Sequence, residues 1–282
     1  MLDGVMLLWF ILTTLSLLFV VVDIRTTPEN GVLKWGFILI TAYTGPLGAF
    51  LYVLGCREPL PGLHERYVAV RWRQVLGSTM HCVAGDGVGI LAGAVVASLF
   101  HLPKVADIAL EYALGFGFGW SIFQSLFMRN MSGGSYKRAL TSTFFPELLS
   151  MNCLMAGMVP VMTLVMKNIP ISHAPSGPAF WFVMSMALLV GFITAYPMNW
   201  WLVSRHLKHG MMTVRPPEKT MDKKTHQHHM QSELTDNMLQ KDRPPKDGKM
   251  KPVSKRNLAW MTILSFLVFG LGLFIAFILG GI

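Results

Sequence analysis

His81, Cys82 and Asp86 place an imidazole, a thiol and a carboxylate within six residues of a run apolar enough to cross a bilayer. Each group is costly in hydrocarbon, so each is expected to face protein, water or a ligand. Cys82 and Asp86 are four apart and share a helix face, whereas His81 lies about 100° round the helix from Cys82. Seventy-one positions later Ser150-Met151-Asn152-Cys153-Leu154 echoes Thr79-Met80-His81-Cys82-Val83. The second segment continues through Met155, Met158 and Met162, which with Met151 form two i, i+4 pairs. Thiolates and thioethers are soft ligands that suit Cu(I). His81, Cys82, Met151 and Cys153 are therefore the expected inner metal site, with Asp86 beside them to offset the ion's charge or carry a coupled proton, and Met155, Met158 and Met162 an outward path. The competing reading is structural: methionine is an adaptable packing residue, and the histidine and aspartate can tie helices together.

The Met-x-x-x-Met spacing is similar to the motif of eukaryotic-type copper transporters, and the likeness stops at the motif. A further donor set, His226, His228 and His229 beside Met230, lies in a polar loop, and short His-rich tracts bind metal by composition. Other polar residues in apolar runs are Glu111, Gln124, Glu147, Asn152 and Asn199. Gln124 and Asn199 suit interhelical hydrogen bonds, Glu111 an outer vestibule beside Lys104, and Glu147, after Pro146, a helix N-terminus. The glycine runs at 85–89 and 115–119 follow no strand and open no helix in water, so they are not read as nucleotide loops.

Those residues need a membrane bundle to position them. The chain of 282 residues is 52% hydrophobic and only 14% charged, with mean hydropathy +0.47, where a soluble chain would be about 25% charged. Runs of about 20 apolar residues predict seven spans, at 3–22, 35–55, 75–100, 105–128, 144–166, 178–204 and 258–282. The expected fold is an all-α polytopic bundle. Residues 1–56 hold two N-terminal helices, 57–74 an interfacial segment, 75–204 a four-helix core, 205–257 a disordered loop and 258–282 a last helix. The echo between the third and fifth spans hints at a parallel repeat of spans three-four and five-six.

Seven spans divide the 24 lysines and arginines very unevenly. Only Arg25, Lys34, Lys104 and Lys167 fall on one side, which predicts a cytoplasmic N-terminus and an external C-terminus. That distribution makes the net charge of +9 a topological signal, and no nucleic-acid partner is expected. Cys56, Cys82 and Cys153, odd in number and scattered, make no disulfide framework, and the absence of a basic n-region argues against a cleaved leader.

Several segments together resemble an uncharacterised family, a domain of unknown function, of bacterial multi-pass inner-membrane proteins. They are Trp72-Arg73-Gln74 running into His81-Cys82 and Gly85-Asp86, then Phe123-Gln124 to Ser135, Glu147 through Met158, and Lys208-His209-Gly210-Met211. The likeness covers about residues 70–212 and implies a bacterial inner-membrane location without implying a reaction.

The leading expectation is a non-enzymatic transporter or handling protein for a soft transition ion, copper first, working in the lipid bilayer. The alternatives are an accessory or assembly protein of a respiratory complex, with a membrane partner or a second copy of itself, and a proton-coupled carrier of a small solute. No Ser/His/Asp set or dinucleotide fingerprint argues for an enzyme.

Overall fold

The computed structural model describes residues 2–58, 60, 62–129, 134–169, 174–211 and 254–279. Every regular element among them is helical: α1 (Leu2–Asp23), α2 (Gly31–Thr44), α3 (Pro46–Gly55), α4 (His64–Val68), α5 (Arg71–Leu99), α6 (Lys104–Phe118), a π-helical segment (Gly119–Gln124), α7 (Ser125–Arg129), α8 (Tyr136–Asn168), α9 (Pro178–Ser204) and α10 (Lys255–Ile278). By length and composition five of these, α1, α5, α8, α9 and α10, can cross a membrane. The side chains of α1 and α10 are mostly apolar and exposed, among them Leu7, Leu15, Leu267 and Phe274, while α5, α8 and α9 are largely buried. Hydrocarbon outside and polar groups inside is the arrangement a bilayer demands.

The second expected span, 35–55, is not a single helix. Gly45, at φ 58, separates α2 from α3, and a left-handed residue is where glycine escapes the Cβ penalty. The chain then turns back on itself: a Cβ at Gly48 would lie 2.7 Å from Thr41 Cα. Both feet of this hairpin meet the end of α1. Thr27 Oγ1 lies 2.8 Å from the Tyr52 hydroxyl, the Tyr52 hydroxyl donates to Asp23 at 2.7 Å, and Arg57 Nε lies 2.9 Å from the same carboxylate. The tip sits beside Trp9 and Thr13, well up α1. Composition could not separate the two arrangements, because a hairpin buried against neighbours is as apolar as a crossing helix.

The fourth expected span, 105–128, is interrupted as well, by the π-helical segment between α6 and α7. The fifth begins eight residues before its expected start at 144, and α8 carries Pro146 and Pro160 inside it. Glu147 is therefore about 16 Å into the helix instead of at its N-terminus.

α5 and α6 run antiparallel along a glycine seam. Cβ atoms at Gly85, Gly89 and Gly93 would meet Phe123 and Gly119, Leu114 and Gly115, and Glu111 in turn. Small residues in this spacing let backbones approach closely. The Tyr196 hydroxyl of α9 donates to the Trp72 carbonyl of α5 at 3.2 Å, joining the end of one to the start of the other. The residues after α9, expected to begin a disordered loop at 205, instead pack back onto the bundle as far as Met211. Met211 fits over Gly77, and its carbonyl accepts from Gln74 Nε2 at 3.0 Å.

Candidate functional site

Six elements converge on a buried polar cluster between α5 and α8. α5 supplies Cys82 and Asp86 from one face, as their four-residue spacing requires. α8 supplies Glu147 and Ser150, the π-helical segment Gln124, and α9 Asn199. The folded-back stretch after α9 supplies Lys208, and α6 closes the seam behind Asp86. All of these side chains are at most 5% exposed.

The Lys208 ammonium has three donors, and three acceptors surround it: Glu147 Oε2 at 2.9 Å, Asn199 Oδ1 at 3.1 Å and Cys82 Sγ at 3.2 Å. Burial alone would push this ammonium down, but Cys82 and Glu147 outweigh it and hold the group above the usual lysine range. Glu147 Oε2 also accepts from Gln124 Nε2 at 3.0 Å. The Cys82 sulfur lies 3.2 Å from Glu147 Oε1, 3.1 Å from Ser150 Oγ and 3.5 Å from Asp86 Oδ2. Asn199 Nδ2 donates to Ser150 Oγ at 2.8 Å. Asp86 Oδ1 is buried with no hydrogen-bond partner. π-helical turns recur at functional sites, and this one brings Gln124 to Glu147 and bare Gly119 to Asp86. A Cβ at Gly119 would collide with Asp86 Oδ1 and lie 2.8 Å from Glu147 Oε1.

The expected donors are only partly brought together. Cys82 and Asp86 meet Glu147, with one ligand atom of each within 4.8 Å of the others. His81 points elsewhere: its ring packs on Phe123 and Phe127, with centroids 5.7 and 4.9 Å away. That is the consequence of a 100° step between consecutive helical residues. Cys153 pairs with Leu149 on another face of α8 and packs against Met198 and Leu202. Met151, Met155 and Met158 lie in the main apolar core. Asn152 ties helices together, accepting from the Tyr112 hydroxyl at 2.6 Å and donating to Ser265 Oγ at 3.0 Å. His226, His228 and His229 lie outside the described residues.

At the other end of the glycine seam a cavity of about 350 Å³ opens between α5, α6 and α8, lined by His101, Lys104, Asp107, Glu111, Met162 and Met166 among others. Glu111 is fully buried at its wall, and neither carboxylate oxygen has a hydrogen-bond partner. Glu111 in α6 and Gly119, where the π-helical segment begins, are eight residues, or roughly 12 Å, apart, so the seam runs from this cavity to Asp86.

Sequence reasoning did not place Lys208 and Ser150 at the site. A lysine four residues past an apolar span looks like a solvated flanking charge, and only its place in the resembling segments singled it out. Residues 71–208 match a family described as a domain of unknown function (DUF4396). The matched segment starts with α5 and ends on Lys208, so it contains every member of the buried cluster. No curated protein and no solved structure matches the chain.

Proposed function

We propose, from the premise that residues 71–208 match this family of unknown function, that the chain is a membrane carrier coupling a small solute to a proton held at the Asp86–Glu147–Lys208 cluster. The observation that carries this reading is the cluster itself, a thiol and two carboxylates facing one ammonium where water is scarce. A dry site tolerates little net charge. With Lys208 and one carboxylate ionised the site is neutral, and the other carboxyl holds a proton. Intramembrane acids of this kind mark proton relays. Glu111, in the cavity at the far end of the seam, is the matching acid for exchange with the opposite side.

In this reading the chain crosses the membrane six times, five times by the long helices and once by α6, the π-helical segment and α7 together. The α2–α3 hairpin re-enters without crossing. Only Lys104 and Lys167 of the 24 basic residues then lie opposite the hairpin's feet, a stronger bias than seven crossings give. The positive-inside rule puts Asp23, Arg57 and the 205–257 loop in the cytoplasm, and the outer ends of α1 and α10 outside. α5–α6 and α8–α9 remain candidates for a parallel repeat. An impermeant maleimide tests the topology. Thr26→Cys and Leu60→Cys are expected to label only in inverted vesicles, and Gly4→Cys only in intact cells. Labelling of Thr26→Cys and Leu60→Cys from opposite sides would remove the hairpin.

A metal ion is the second reading, favoured by the mutual proximity of Cys82, Asp86 and Glu147. One thiol and two carboxylates are a poor set for Cu(I), and the ammonium occupies the cation's place. Currents from proteoliposomes on a solid-supported membrane discriminate these readings. Under an imposed pH gradient, pools of amino acids, organic acids, sugars and amines are offered in turn. At least one pool should give a transient current that Asp86→Asn abolishes. Silence with every pool, together with a stable partner on native gels, would favour an assembly role instead. Copper bound by the wild type and lost in Cys82→Ser would favour the ion.

A further inference from the structure

The re-entrant hairpin has its own cluster of ligand-type side chains, outside residues 71–208. Glu29 lies just before α2, Cys56 caps α3, and His64 opens α4. All three are buried, at 5%, 0% and 0% exposure. One ligand atom from each lies within 4.8 Å of the other two. His64 Nε2 is 3.9 Å from Glu29 Oε1 and 3.0 Å from the Cys56 carbonyl oxygen. That ring nitrogen donates to the carbonyl in one tautomer and offers a lone pair in the other.

We propose that Glu29, Cys56 and His64 form a zinc site that staples the feet of the α2–α3 hairpin to α4. Thiolate, imidazole and carboxylate are the three protein donor types zinc takes, in tetrahedral sets that a water can complete. Magnesium and calcium select oxygen donors, and Cu(I) selects a softer set than one sulfur provides. Charge supports the choice of a dication. When Cys56 gives its proton to water, Zn²⁺, thiolate and carboxylate sum to zero, so the loaded site buries no net charge. Geometry supplies the purpose. The two feet of the hairpin come together beside α4, and an ion bridging them closes the loop of chain between Glu29 and Cys56. The site is independent of the carrier reading and stands or falls separately.

Elemental analysis of the full-length, tag-free protein in detergent tests it. After dialysis against zinc and then buffer, the wild type should retain one equivalent. Cys56→Ser and His64→Ala should fall to background. Cobalt loaded into the folded wild type gives a readout free of variant misfolding. It should produce thiolate-to-cobalt charge-transfer absorption, because Cys56 would be a ligand. Wild type that stays metal-free, zinc that survives in both hairpin variants, or bound cobalt without that absorption overturns the assignment.

Discussion

Lys208→Met is expected to destabilise the detergent-solubilised protein by about 3–5 kcal/mol, the cost of stripping one partner from a buried ion pair. Lys208 and Glu147 have side chains 3% and 0% exposed with their charged atoms 2.9 Å apart, so little solvent screens the loss. The substitution leaves Glu147 facing Cys82 and Asp86 without a counter-charge, while Asn199 Oδ1 loses its donor. The double variant Glu147→Gln/Lys208→Met should recover much of the loss, because neither charge is then stranded. Thermal midpoints of the two singles and the double form a cycle whose non-additivity measures the coupling. Additive effects, or a single variant as stable as wild type, would show that the ammonium does not sit among these groups. This cycle probes geometry alone and is independent of the proposed carrier function.

Gly89→Ala should be nearly as damaging, although it adds one methyl group. Its Cβ would collide with the backbone carbonyl of Leu114 and lie 2.7 Å from Gly115 Cα. A backbone cannot rotate away as a side chain can, so α5 and α6 must separate. Overpacking of a tight core costs about 1–3 kcal/mol and occasionally more. The neighbouring control is Gly117→Ala, where nothing lies within 4 Å of the added atom. Removing a helical glycine there should be neutral or stabilising by up to about 1 kcal/mol. Equal midpoints for the two variants would mean that the seam is looser than described. Asp86 and Glu111 stand at its two ends, so if the chain is the proposed carrier, Gly89→Ala should also abolish the Asp86-dependent current at a temperature where the protein remains folded.

Sequence alone determined that this chain is helical and made for a membrane, because hydrocarbon admits only backbone that satisfies itself and long apolar runs record that demand residue by residue. Cys82 and Asp86 could be assigned to one face, since four residues make just over one turn of about 3.6 residues. The same local geometry already put His81 on a different face, and the expected copper site asked it to point where Cys82 points. Tertiary structure decided the rest. Whether 35–55 crosses or turns back depends on Gly45 and on what Asp23 and Arg57 meet, which no hydropathy window can register. Cys153 faces Met198 and Leu202 because of how α9 lies on α8, although its surroundings in sequence match those of Cys82. Lys208 belongs to the buried cluster because the chain folds back after Ser204. A partner 61 residues away in sequence, Glu147, supplies the charge that makes burying it possible, and long-range pairing of that kind leaves no local trace.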